Sequence, residues 1–480
     1  MLEIIFTDGR IGAGAVKVVG VAEKTRINAS ALSKEDNALL RQFSAQNKFE
    51  GQVGRFAEVW GTNGKIIAAG LGAKPDALSL RRAGAALAQR LFKDEVAVFY
   101  VEPLKECKLS EEEIAHNLAL GLLLGSYRFD KYFTTKKAEE YPNLERVVFK
   151  VRNPAEVNEN FKNLAALANA VRYARDLCNE PANYLTPEVF AADIERLKYL
   201  GLEIEILGRR ELEEKGFGLL LAVAQGSVQE PKVAVIKWKG NPDSDKWDVG
   251  LVGKGVTFDS GGISLKPDAG MEDMKQDMTG AAVVAASLKA LALQAAKVNV
   301  IGIVGLVENM PGAEAMKLGD VYTSLSGQTV EIRHTNAEGR LVLADLMSYL
   351  QQNFGISRMI DVATLGAVKH LFGKGYAGLF ASDAGLEKEL LAAAEQSGEK
   401  IWPLPMDDFY DKMLKSEMAD MSNDYERAGS SMAAVMFLKR FVQKDLPWAH
   451  LDISGMRADD KGMATGFGVR LLNEFIAKEW

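Results

Sequence analysis

The 480-residue sequence predicts an α/β protein. A small N-terminal α/β domain is joined by a long helix to a larger α/β domain, whose mixed sheet has a largely parallel core flanked by helices. Three observations carry that prediction. From about residue 200 onward, short apolar β-like runs alternate with helical stretches, an order that lays parallel strands side by side with helices on both faces. The first 150 residues show the same mixture on a smaller scale. Between the two lies one continuous helical pattern, from about 156 to 178, long enough to serve as a connector.

In chain order, 65–71 (KIIAAGL) and 95–101 (EVAVFYV) read as strands, and 78–92 and 111–126 as helices with an apolar face. A break at Asn153-Pro154 precedes the long helix, along one side of which run Leu164, Leu167, Val171, Ala174 and Leu177. Asn179-Glu180-Pro181 ends it, and Pro187 after Thr186 suits the start of another helix. Strands are expected at 233–238, 249–253, 298–306, 329–333, 359–363 and 449–453, and helices at 280–295 and 339–353. The expected boundaries are an N-terminal domain at 1–153, a connecting helix at 154–178 and a larger domain at 179–480. No internal repeat or low-complexity segment is visible.

Composition narrows the function. Hydrophobic residues make up 48% and charged residues 26%, as in an ordinary globular protein, and the net charge is −7. Nucleic acid and anionic membranes both call for a basic footprint, so neither is an expected partner. Two distant cysteines, Cys107 and Cys178, make neither a disulfide framework nor a thiolate metal site. The N-terminal MLEIIFTDGR has no apolar signal core, and runs such as 118–125 are too short to span a bilayer, so a cytoplasmic location is expected.

Glycine and charge gather in one region. The stretch 253–266 (GKGVTFDSGGISLK) follows a predicted strand, which places Lys254 and Asp259 at a strand end with Lys266 close by. Asp273, Lys275 and Asp277 come just before a helix opening near Thr279. His334-Thr335-Asn336-Ala337-Glu338-Gly339-Arg340 sits where another strand gives way to a helix. The glycine-rich turn matches neither the phosphate-loop nor the dinucleotide pattern, and its carboxylates would repel phosphate. The four histidines, His116, His334, His370 and His450, form no zincin spacing, and no Gly-x-Ser-x-Gly elbow is present. A metal held by oxygen donors, with a possible amine, is the chemistry that remains. Taken singly, each residue has an ordinary structural explanation. Asp259 would cap a turn, Asp277 would face a helix N-terminus, Glu338 and Arg340 would form a solvated first turn, and Lys254 and Lys266 would be surface charges. Their joint placement at strand–turn–helix junctions favours a site.

These residues also resemble a known family. Segment 252–281 (VGKGVTFDSGGISLKPDAGMEDMKQDMTGA) looks like the signature of the cytosolic leucine aminopeptidases. So do 335–345 (TNAEGRLVLAD), 175–186 (RDLCNEPANYLT), 361–365 (DVATL), 448–455 and 464–472. The resemblance covers roughly 165–475, whereas the first 150 residues match only in length and general pattern. It implies a small N-terminal domain, a connecting helix and a catalytic domain, assembled as a homo-hexamer with active sites facing an interior cavity. It also implies removal of N-terminal residues from peptides by two divalent metals, zinc or manganese with magnesium or cobalt as further candidates, that share a bridging water or hydroxide. By position, Lys254, Asp259, Asp277 and Glu338 match family ligands, and Asn336 stands at a ligand position. Lys266 and Arg340 match the two catalytic basic residues, and bicarbonate is the anion expected at Arg340. Met274 matches a residue lining the pocket for the substrate's first side chain, and Thr364 and Leu365 match the strand that positions substrate.

The chain departs from that pattern in places. Asn336 replaces an aspartate, which removes one negative charge and predicts weaker filling, or a different metal preference, at one position. His334 replaces an asparagine and is expected to bond backbone rather than metal. The run 363–367 (ATLGA) is one residue shorter than the family's, and Met456-Arg457 stands where small or apolar residues are usual, which leaves the preferred N-terminal residue open. These changes give an alternative to the active enzyme: a weakened or inactive oligomeric homologue with a binding or structural role. Retention of Lys254, Asp259, Lys266, Asp277, Glu338 and Arg340 argues against it.

Overall fold

The computed structural model describes residues 2–11, 14–366, 368–424 and 429–477. It divides into two compact units, Met1–Ala168 and Asn169–Trp480. The long helix runs Pro154–Asn179, so the proline read as a break before it is its first residue.

The first unit holds a six-stranded sheet of β1 (Glu3–Thr7), β2 (Val16–Ala22), β3 (Phe56–Gly61), β4 (Gly64–Gly72), β5 (Val96–Tyr100) and β6 (Arg146–Lys150), in the order β1-β6-β5-β2-β4-β3. All its pairings are parallel except β3 with β4. The helices Ala77–Arg90 and Glu111–Gly125 each open with a capping box, Asp76 with Ser79 and Ser110 with Glu113, which satisfies backbone N–H groups that a helix start leaves unpaired.

The second unit is built on an eight-stranded sheet. Its strands are β7 (Glu203–Leu207), β8 (Lys232–Lys239), β9 (Val249–Asp259) and β10 (Asn299–Asn309). A small separate sheet uses β11 (Val321–Thr323), β12 (Thr329–Glu331) and β16 (Met421–Ser422), while β13 (Met359–Ala363), β14 (Ala377–Ala381), β15 (Ile401–Pro403) and β17 (Trp448–Asp452) complete the large one. The large sheet runs β15-β14-β17-β13-β9-β10-β8-β7. Its centre, β17-β13-β9-β10, is parallel, and antiparallel pairings flank it on both sides. Central strands covered on both faces are apolar throughout rather than alternating, which is why runs such as Asn299–Asn309 (NVIGIVGLVEN) read clearly in the sequence.

One expectation is corrected. The strand expected at 249–253 continues to Asp259, so Lys254 lies inside β9 rather than at its end. Its neighbours are buried on both sides, and the ladder with β10 carries on past a bulge near Val307 and Glu308.

Candidate metal centre

The site forms where the four parallel strands finish. Asp259 ends β9, Asn309 ends β10, Thr364 follows β13 and Ser454 lies two residues beyond β17. Ligands in open α/β sheets bind at this edge. Two further pieces arrive by connection. The short helical turn Met271–Gln276 delivers Asp277 just ahead of the helix Thr279–Leu293, and Glu338 sits at the cap of the helix Gly339–Asn353. The turn after β9 uses Gly261 and Gly262 at φ of 90° and 66°, a left-handed backbone that side-chain-bearing residues rarely adopt.

Asp259, Asp277 and Glu338 are all buried, and each can place a carboxylate oxygen within 4.8 Å of the other two. Lys254 is buried among them. Its Nζ lies 2.6 Å from Asp277 Oδ2 and 2.8 Å from Glu338 Oε1, and it donates to Thr364 O at 3.1 Å. Burial works against the lysine's charge, but Asp277, Glu338 and Asp259 outweigh it and hold its pKa above the ordinary value. Gly339 makes this packing possible, since a Cβ there would stand 2.5 Å from Lys254 Cε.

The carboxylates divide in electrostatic character. Burial, with Glu338 and Asp277 nearby, pushes Asp259 up to about 7. Burial also raises Asp277, against the opposing pull of Lys254. For Glu338 the burial cost is overcome by Lys254 and Lys266, and its pKa falls below the usual carboxylate value. Asp259 is further held by its neighbours: its Oδ1 accepts from Gly261 N–H and Asn309 Nδ2, both at 2.8 Å. Lys266, half-buried, pairs with Asp259 Oδ2 at 2.5 Å and donates to Asn336 Oδ1. Thr364 Oγ1 donates to Asp277 Oδ1 at 2.7 Å.

One carboxylate oxygen of this cluster is left open. Glu338 Oε2 is buried and accepts no hydrogen bond among the described residues. Asp277 Oδ2 has only its ion pair with Lys254, without hydrogen-bond geometry. Arg340 is buried too; burial lowers its pKa, and Asp424 and Glu338 oppose that. Its Nη1 donates to Asn423 O at 2.7 Å and Asp424 Oδ1 at 3.0 Å, while its Nε has no partner among the described residues.

A cavity of about 340 Å³ brings together Lys254, Asp259, Lys266, Met274, Asp277, Asn336, Glu338, Arg340, Thr364 and Leu365. The ordinary explanations for Glu338, Arg340 and Lys254 as solvated charges fail, because all three are buried. Asp259 does cap a turn, through Gly261, and faces the cavity as well. His334 lines the cavity, and its Nδ1 accepts the Asn336 N–H at 3.2 Å. In the shortened run 363–367, Ala367 lies outside the described residues. Sequence reading missed Asn309, Asn423 and Asp424, which fix Asp259 and Arg340. No spacing pattern signals a bond between residues 50 or 84 positions apart.

Buried acids gathered at the strand ends of an α/β sheet define a candidate divalent-metal site. Comparison with known proteins gives the family. The profile of the "Cytosol aminopeptidase family, catalytic domain" matches residues 172–473, and that of the family's N-terminal domain matches 18–136. The "Probable cytosol aminopeptidase" of Caulobacter vibrioides is 42% identical over 99% of both chains. That of Rhizobium johnstonii is 46% identical over 86% of this chain and 84% of its own. Among solved structures, a mutant of tomato leucine aminopeptidase matches with a TM-score of 0.90 and 30% identity, covering 100% of this chain and 97% of that one. The bottromycin maturation enzyme BotP in complex with Mn matches at 0.86 and 33% identity, covering 96% and 99%. The chain therefore belongs to the cytosol aminopeptidase family and is a metal-dependent aminopeptidase. Among the described residues no helix is long and apolar enough to cross a membrane.

Proposed function

We propose that this chain removes the N-terminal residue of peptides at a dinuclear metal site held by Lys254, Asp259, Asp277, Asn336 and Glu338, with Lys266 and Arg340 as catalytic basic residues. The supporting observation is the open carboxylate oxygen Oε2 of Glu338 inside a buried cluster of three acids. A buried acceptor without a partner costs roughly 1–3 kcal/mol, which a cation at that point offsets. Carboxylate and amide oxygens with one amine suit zinc or manganese, with magnesium or cobalt as further candidates. Two such ions supply Lewis acidity and an activated, bridging water or hydroxide. Lys254 ligates only as a neutral amine, so loading the site releases its proton.

The remaining residues orient the substrate. A free α-amine faces the cluster, and Met274, Thr364 and Leu365 line the wall where the first side chain rests. Lys266 polarises the scissile carbonyl, stabilising charge as it develops on that oxygen. Arg340 is fixed through Nη1, and its fork is suited to a planar anion such as bicarbonate. The proposal extends to the domain boundaries 1–153, 154–178 and 179–480, to a homo-hexamer acting in the cytoplasm on peptides with free N-termini, and to no membrane or nucleic-acid partner.

The test is release of arylamine from leucine and methionine arylamides with added Mn²⁺, Zn²⁺ or Co²⁺, set against Lys266→Ala. Loss of one such electrostatic donor is expected to lower kcat by roughly 100- to 1000-fold. Absence of metal-dependent turnover on any N-terminal residue would sink the proposal.

A further inference from the structure

Lys369, His370, Ser454 and Arg457 line the central cavity but have no part in the reading above. All four also line an adjoining cavity of about 420 Å³, so the cleft continues past the acidic cluster along their side chains. The Lys369 ammonium has no hydrogen-bond or ion-pair partner among the described residues. It faces Arg457 and Lys266 as neighbouring charges, and burial with those two cations lowers its pKa, while Asp277 and Asp273 pull the other way. Arg457 is only lightly tethered, through Nε to Gln276 Oε1 and Nη1 to Ser454 O, both at 3.3 Å, and no carboxylate pairs with it among the described residues. Ser454 is 7% exposed, and its Oγ has no hydrogen-bond partner among the described residues.

The acids of the adjoining cavity make their printed bonds to groups other than Lys369 and Arg457. Lys374 takes up Asp460 at 3.2 Å and the Asp459 carbonyl at 2.6 Å. Asp459 Oδ1 is occupied by the N–H groups of Lys461 and Met463. Asp273 is exposed at the rim, and it and Asp277 of the acidic cluster pull on Lys369. Two cations lining one cleft with a buried unpaired hydroxyl are stabilised by an anion bound among them. Peptides offer one anionic group, the carboxylate.

We propose that Lys369, Arg457 and the Ser454 hydroxyl form a carboxylate-binding subsite that directs the enzyme to peptides bearing an acidic group next to the scissile bond. The inference rests on the proposed function, since it requires the peptide N-terminus at the acidic cluster. Three sources share the chemistry: an acidic first side chain, an acidic second side chain, and the C-terminal carboxylate of a dipeptide.

The manganese-loaded full chain is assayed on α-linked Glu- and Gln-arylamides, on Leu-Glu-amide and Leu-Gln-amide, and on Leu-Leu and Leu-Leu-amide, with leucine arylamide alongside. The charged member is expected to lead by about ten-fold in kcat/KM in at least one pair, mostly through KM, and to lose that lead as salt is raised. That pair identifies the source. Arg457→Glu and Lys369→Glu are expected to cut the ratio about ten-fold and to raise turnover of Arg-arylamide relative to Glu-arylamide, an exchange that misfolding does not produce. Parity in all three pairs, with leucine arylamide still turned over, overturns the subsite and leaves the aminopeptidase reading intact. If none of these substrates is turned over, the aminopeptidase reading fails. Calorimetric binding of glutamate against glutamine to the loaded protein then decides the subsite, with equal affinity overturning it.

Discussion

Asn336→Asp gives the most direct measure of how charge sets metal binding here. The substitution is nearly isosteric and adds one negative charge beside Lys266, whose Nζ already contacts Asn336 Oδ1. Two unit charges 4 Å apart interact by about 4 kcal/mol at an effective dielectric of about 20, so a divalent ion at that range gains roughly 8 kcal/mol before costs. Two costs cut this down. Lys266, which also pairs with Asp259 at 2.5 Å, competes for the new carboxylate, and the half-buried carboxylate loses hydration. A net gain of about 1.5–3 kcal/mol remains, or roughly 10- to 100-fold in Kd for the weaker ion. The assay is metal content by mass spectrometry after equilibration in buffered Mn²⁺ or Zn²⁺, with calorimetric titration of both proteins. The native chain is expected to hold one ion tightly and one loosely, and the variant to hold two. If the native chain retains two ions at micromolar free metal, the reasoning from charge is wrong.

Other outcomes follow from the same geometry. Exhaustive chelation is expected to abolish peptidase activity, and manganese at about 100 times its Kd is expected to stabilise the fold by about 2.7 kcal/mol, seen as a rise of several degrees in Tm. Asp345 is fully buried and accepts the N–H groups of Leu219 at 2.9 Å, Leu220 at 3.0 Å and Leu325 at 2.8 Å. Asp345→Asn turns one acceptor into a donor that meets a backbone N–H, so urea denaturation should show a loss of about 1–3 kcal/mol. His450 is buried with Nδ1 2.5 Å from Asp361 Oδ1; burial lowers its pKa, but Asp361 outweighs that and the net shift is upward. A raised folded-state pKa stabilises fully below about pH 6.5 and is lost as pH rises through the folded value. Tm should therefore decline across that range, and His450→Gln should flatten the decline.

The fold was largely legible because burial writes itself into composition. Strands covered on both faces become apolar runs, and the helix starts carry their caps in sequence, as at Thr186-Pro187. The site was legible by another route. Asp259 caps a turn and also faces the cavity, so no single residue separates structural from functional use; the joint placement at strand–turn–helix junctions favours a site, and the family resemblance supplies the roles. Lys254 was placed one strand boundary too early because a lysine ordinarily marks where a buried strand meets solvent. It sits instead inside β9, buried against the start of the helix that carries Glu338. There Gly339 leaves no room for a side chain, since a Cβ would stand 2.7 Å from Lys254 Nζ. The lysine of the first motif and the glycine of the third are thus one steric requirement, met by residues 85 positions apart in the chain. Alanine at 339 would displace Lys254 from both Asp277 and Glu338, although residue 339 carries no functional group of its own.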